Sequence, residues 1–89
     1  ARRAAFGLGR VGAIASHASG DFVIAFSNSF ERPDIDDAHL NPLFRATVEA
    51  TEEAIINSIL RAETMVGRDG NTRYAIPIDE LGEILSAGP

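Results

Sequence analysis

The chain contains no cysteine. That excludes a disulfide framework and any cysteine-based metal site. No apolar run approaches the roughly 20 residues that a membrane-spanning helix needs, so no transmembrane segment is expected. Basic residues are outnumbered, with 8 Lys and Arg against 13 Asp and Glu and a net charge of −5. They form no stripe, which argues against nucleic acid as a partner. The opening Ala1-Arg2-Arg3-Ala4-Ala5-Phe6 makes a poor signal peptide, because its apolar stretch is short and is broken by Gly7 and Gly9. Internal repeats and low-complexity tracts are missing too.

What is present fits one domain or less, since the chain has 89 residues. A chain of this size buries only about two thirds of the surface that its unfolded form exposes, so its own core is modest. Residues 1–11 read as the latter part of a helix, with Ala4, Ala5, Leu8 and Val11 at helical spacing and no capping residue before them. Gly7, Gly9 and Gly12 weaken that helix and let another backbone approach it closely. Residues 22–26 form a short apolar run with two aromatics and a β-branched pair, the pattern of a strand buried on both faces. Ser19 and Asp21 flank Gly20 where that strand begins. A hydroxyl and a carboxylate so placed suit either a hydrogen-bonded polar pair or a simple strand-opening turn.

Residues 28–41 read as a polar loop containing Pro33, Asp34, Asp36, Asp37 and His39, whose irregular spacing points to a solvated loop and not to a cation site. Asn41 and Pro42 then have the N-cap and first-turn signature of a helix, and Gly67 is a favoured residue just past a helix end. The expected helix therefore runs to about Val66. Its apolar stripe is Phe44, Val48, Thr51, Ile55, Ile59, Ala62 and Val66, and Glu49, Glu52, Glu53 and Glu63 read as a solvated acidic face. At about 37 Å it would span or exceed so small a domain, which suggests packing against a larger body. A turn at residues 68–71, a strand at residues 72–76 ended by Pro77, and a short helix capped by Asp79 and carrying Leu81, Ile84 and Leu85 complete an α/β (α+β) order of elements.

Two segments carry a family resemblance. His17-Ala18-Ser19-Gly20-Asp21 followed by Phe22-Val23-Ile24-Ala25-Phe26-Ser27 resembles the carboxy-terminal part of the D-aminopeptidase/β-peptidyl aminopeptidase (L-aminopeptidase/D-esterase) family. Ala50-Thr51-Glu52-Glu53-Ala54-Ile55, and then Ala62-Glu63-Thr64-Met65-Val66-Gly67-Arg68-Asp69-Gly70-Asn71-Thr72, agree with it in order and spacing. Many relatives carry glycine where Ala18 stands, and some use glutamate at the Asp21 position.

The resemblance implies a four-layer α/β/β/α sandwich like that of N-terminal-nucleophile hydrolases, formed by a precursor that cleaves itself into two subunits. The small subunit starts with a nucleophilic serine, whose free amine, with a pKa near 8, takes the hydroxyl proton. That serine is expected upstream of Ala1, so residues 1–89 read as one segment of a larger hydrolase domain, inactive alone. By the same resemblance Ser19 sits beside the nucleophile and relays or stabilises its proton. Asp21 holds Ser19 and balances the terminal ammonium, as an ionised carboxylate does well. His17 is either substrate-lining or a turn histidine bonded to its neighbours.

The function expected is a serine aminopeptidase acting on amino-terminal residues of short peptides, amides or esters. It needs no metal or organic cofactor, and its partners are the remaining parts of the same enzyme in a homo-oligomer. The cytoplasm is the expected location and the periplasm the alternative, since the true amino terminus is not seen. Two other readings stand beside this one: an acetyltransferase of the related ornithine acetyltransferase fold, against which the Ser-Gly-Asp motif speaks, and a non-catalytic interaction module.

Overall fold

The structure, a computed structural model, describes residues 1–31 and 34–89. They form two compact units, Ala1–Ile55 and Ile56–Pro89. Pro33, read from sequence as part of the polar loop, lies outside the described residues.

In the first unit a short helix α1 (Ala4–Arg10) lies on the first part of a long helix α2 (Leu40–Leu60). Three contacts fix their relation. The Arg3 guanidinium stacks 4.1 Å from the centre of the Phe44 ring. Gly7 faces Val48 and Thr51 so closely that a Cβ there would lie 2.6 Å from Thr51 Cβ and 2.8 Å from the Val48 carbonyl oxygen. Arg10 pairs with Glu52 at 2.9 Å. Partner numbers rise together along both helices, so α1 and α2 run in the same direction. The seam uses the predicted stripe, since Phe44, Val48, Thr51 and Ile55 are the half-buried positions of α2 with Leu40 and Glu52. Thr51 donates its hydroxyl to the Thr47 carbonyl at 2.7 Å, within its own helix, and meets Gly7 with its methyl side. The expected close approach is thus real at Gly7, whereas Gly9 has open space around it. Ala4 is the one buried apolar side chain among the described residues.

The start of α2 differs from the expectation. Asn41 is not its cap. A single 3-10 turn, Asp37–His39, leads into the helix, and Asp36 caps that turn by accepting the His39 amide at 3.2 Å. The same carboxylate oxygen lies 2.6 Å from His39 Nδ1. Pro42 falls within the first turn of α2, where amides have no helical partner and a missing N–H is harmless.

The far end differs more. In the second unit α2 stops at Leu60, and Met65–Val66 forms a strand, β1, instead of a last helical turn. It pairs antiparallel with β2 (Thr72–Arg73), in the register Met65 opposite Arg73 and Val66 opposite Thr72. Tertiary pairing outweighs the helical spacing of Ala62 and Val66. Gly67 is therefore no helix terminator: it begins the hairpin tip, and its amide donates to the Asn71 carbonyl at 2.7 Å. Asp69 and Gly70 turn the chain with left-handed φ values of 59° and 74°. Thr64 Oγ1 accepts the Ala75 amide at 3.0 Å and extends the hairpin on its open side. The second strand is shorter than the sequence suggests, and Tyr74 is exposed.

Helix α3 (Ile78–Ala87) follows with Pro77 at its N-cap, not Asp79. Asp79 and Glu80 lie in the first turn, where negative charge faces the positive end of the helix dipole. No helix among the described residues is long and apolar enough to cross a membrane.

Candidate active site

Ser19, Asp21 and His17 all lie on the connection between α1 and α2. A tight turn precedes Ser19. The Ser19 amide donates to the Ser16 carbonyl at 3.0 Å, and Ala18, the third residue of that turn, has φ 64°. Only this residue of the central pair is left-handed, which is the pattern of a type II turn, where glycine is usual. Glycine would take that angle without strain. His17 is the other central residue.

Beyond the turn the chain is irregular through residues 19–27. The buried strand expected at residues 22–26 is not formed. Phe22 is 95% exposed and Phe26 90%, with Ile24 and Val23 also exposed. A strand exists only through a neighbour's ladder of hydrogen bonds, and no other described segment pairs with this one. The apolar pattern is present without the layers that would cover it.

Ser19 and Asp21 are exposed, and the residue between them is Gly20. Gly20 does not have a left-handed φ, and a Cβ there would meet only the Phe22 ring, at 3.5 Å. Among the described residues no side-chain hydrogen bond joins Ser19 to Asp21 or holds the His17 ring. The chemistry on offer is a hydroxyl, able to give or accept a proton, with a carboxylate two residues on that accepts hydrogen bonds from hydroxyl or ammonium donors.

Some other polar groups of the loop have structural partners. Ser27 and Ser29 hydroxyls accept the amides of Ser29 and Glu31 at 3.1 and 3.3 Å. Asp36 and His39 are joined at the start of α2. Among the described residues no group of three or more His, Cys, Asp or Glu side chains is placed to hold a metal ion. An open groove of about 400 Å³ in the first unit is lined by Asp34, Ile35, His39, Pro42 and Leu43, without Ser19 or Asp21. Nothing in the sequence marks the left-handed alanines near Ser19, because alanine has no signature for that conformation.

Comparison with known proteins gives a consistent result. The family model for peptidase family S58 matches residues 1–73. The chain is 42% identical to beta-peptidyl aminopeptidase BapA of Sphingosinicella xenopeptidilytica, over 98% of this chain and 25% of that protein. It is 38% identical to beta-peptidyl aminopeptidase BapA of Sphingosinicella microcystinivorans, over 96% of this chain and 24% of that protein. The crystal structure of the PH0078 protein from Pyrococcus horikoshii OT3 superimposes with a TM-score of 0.79 at 42% identity, covering 98% of this chain and 28% of the other. The chain thus spans about a quarter of the length of the curated relatives it matches.

Proposed function

Because the chain belongs to peptidase family S58, we propose that it is one segment of a serine-nucleophile aminopeptidase that releases amino-terminal residues from short peptides, amides or esters. The observation that carries this reading is 42% identity across nearly the whole chain to a protein named as a beta-peptidyl aminopeptidase. The helices and small antiparallel sheet seen here belong, in this reading, to a four-layer α/β/β/α sandwich completed by the rest of the polypeptide. The nucleophile lies in that remaining part, together with the large subunit, and the mature enzyme is a homo-oligomer.

Within this segment Ser19 acts on the nucleophile's proton. An N-terminal serine needs its hydroxyl proton removed as the bond to the acyl carbon forms, and its own amine is the base. A second hydroxyl beside it can relay that proton, taking it from the nucleophile as it gives its own to the amine, and so stays neutral. Asp21 orients Ser19 and offsets the positive charge on the amine. A hydroxyl working this way contributes mainly as bonding develops, so its loss falls on kcat more than on KM.

The test is Ser19→Ala in the full-length, processed protein, assayed with amino-acyl p-nitroanilides of α- and β-amino acids. Turnover is expected to fall by about 10²-fold or more, the scale of a positioned proton-transfer group. Wild-type turnover in this variant would remove Ser19 from the mechanism. Failure of the wild-type protein to hydrolyse any such substrate would remove the aminopeptidase reading.

A further inference from the structure

Three residues other than glycine have left-handed backbone among the described residues: Ala15 at φ 48°, Ala18 at φ 64° and Asp69 at φ 59°. Asp69 is unsurprising, since aspartate tolerates this conformation through local hydrogen bonding and here it serves a hairpin tip. The two alanines have no such excuse. A Cβ in this region crowds the following carbonyl, and a methyl group gives no hydrogen bond in return. They stand on either side of Ser16 and His17, and the second immediately precedes Ser19. Gly20, the residue that would adopt an unusual angle without strain, does not have a left-handed φ. The strain lies just before Ser19, on residues ill suited to it. Strained backbone concentrates where geometry serves function.

The turn that holds Ala18 also holds Ser19. Its closing hydrogen bond is the Ser19 amide on the Ser16 carbonyl, at 3.0 Å. With His17 held as it is, rotating Ala18 alone to an ordinary negative φ would break that bond and swing the Ser19 Cα–Cβ direction away from its present course. We propose that Ala18 is a positioning residue for Ser19, its left-handed turn setting the direction in which the Ser19 hydroxyl is presented. This rests on the reading of Ser19 as the proton-handling hydroxyl. Ala18 touches no reacting atom and acts through its neighbour.

The experiment uses the full-length, processed enzyme, with kcat counted per processed amino-terminal serine. Ala18→Val introduces a β-branched side chain that the left-handed region excludes. It is expected to lower kcat by about tenfold or more while KM stays within about twofold, since a small misplacement of a reacting group is costly to turnover. Ala18→Leu, less crowded at Cβ, is expected to lose about threefold in kcat, and it is the deciding variant should the valine protein not accumulate. Asparagine and glycine accept the angle, so turnover lost in Ala18→Val is expected to be recovered in Ala18→Asn and Ala18→Gly. Undiminished kcat in Ala18→Val, or in Ala18→Leu where valine does not fold, overturns the proposal. So does an equal loss in Ala18→Asn and Ala18→Val. Ser19→Ala runs beside them: wild-type turnover there defeats the reading of Ser19 itself, whereas lost turnover there with undiminished Ala18→Leu defeats the turn alone.

Discussion

Replacing Gly7 by alanine and, separately, Gly9 by alanine puts the same methyl group on the same short helix with opposite expected results. At Gly9 a Cβ meets nothing within 4 Å. The substitution there removes backbone freedom from the unfolded chain and improves helix propensity, a stabilisation of about 0.5–1 kcal/mol. At Gly7 the same gain is available, but the new Cβ would lie 2.6 Å from Thr51 Cβ, 2.8 Å from the Val48 carbonyl oxygen and 2.9 Å from the Thr51 methyl. Carbon atoms in contact sit about 3.5–4.0 Å apart, so close to 1 Å must be found. Two of the three obstacles are a backbone oxygen and a Cβ, which no rotamer change moves. Helix α1 has to lift from α2, loosening the Arg3–Phe44 stack and the Arg10–Glu52 pair on either side. Overpacking of this kind costs about 1–3 kcal/mol. After the propensity gain the net result is a loss of up to about 2 kcal/mol, with Gly9→Ala a gain of at most about 1. Urea or thermal unfolding of the full-length protein, monitored at the transition that includes this unit, measures both. Thr51→Ser in the Gly7→Ala background should restore little, because the Thr51 Cβ remains. Gly7→Ala as stable as Gly9→Ala would refute the close crossing of α1 on α2.

Two further outcomes are expected. Asp21→Asn in the processed enzyme keeps the side-chain shape and removes the charge, so kcat should fall by about 10²-fold with little change in KM; near-normal turnover with normal precursor cleavage would leave Asp21 as a turn residue only. Residues 1–89 expressed alone should hydrolyse no amino-acyl p-nitroanilide and should self-associate, because Phe22, Ile24, Phe26 and Phe30 are openly exposed; a cooperative melt from a monomer defined by sedimentation, or turnover that survives repurification, would contradict this.

Sequence periodicity placed the middle of α2 and its buried face well, because Phe44, Val48, Thr51 and Ile55 repeat at helical spacing and Gly7 faces that stripe. It misplaced both ends. At the start, the local Asn41-Pro42 signal is displaced by Asp36, whose carboxylate caps the chain one turn earlier. At the finish, Ala62 and Val66 continue the helical pattern, yet residues 65–66 pair with residues 72–73, a non-local event that no window along the chain reports. The run at residues 22–26 shows the converse: its composition describes an environment, and no described segment supplies it. For the proposed site, Ser19 and Asp21 rest on family resemblance alone, and the left-handed backbone before them has no sequence signal, since alanine is common everywhere and marks no conformation.

The shared direction of α1 and α2 has a consequence for the path of the chain between them. Antiparallel helices are joined at adjacent ends by a short loop, but parallel ones demand a return journey. Arg10, at the end of α1, sits beside Glu52, while α2 begins at Leu40. At 1.5 Å per residue the connection must travel back about 18 Å along α2 before that helix starts. A strand advances about 3.3 Å per residue, so five or six extended residues cover this distance. The segment bearing Ser19, Asp21 and the apolar run is therefore also the tether that lets the two helices lie side by side. The connection, residues 11–39, is far longer than that return needs, so the helix crossing should tolerate deletions that leave about five or six extended residues, whereas the hydroxyl at Ser19 would be displaced by any deletion close to it.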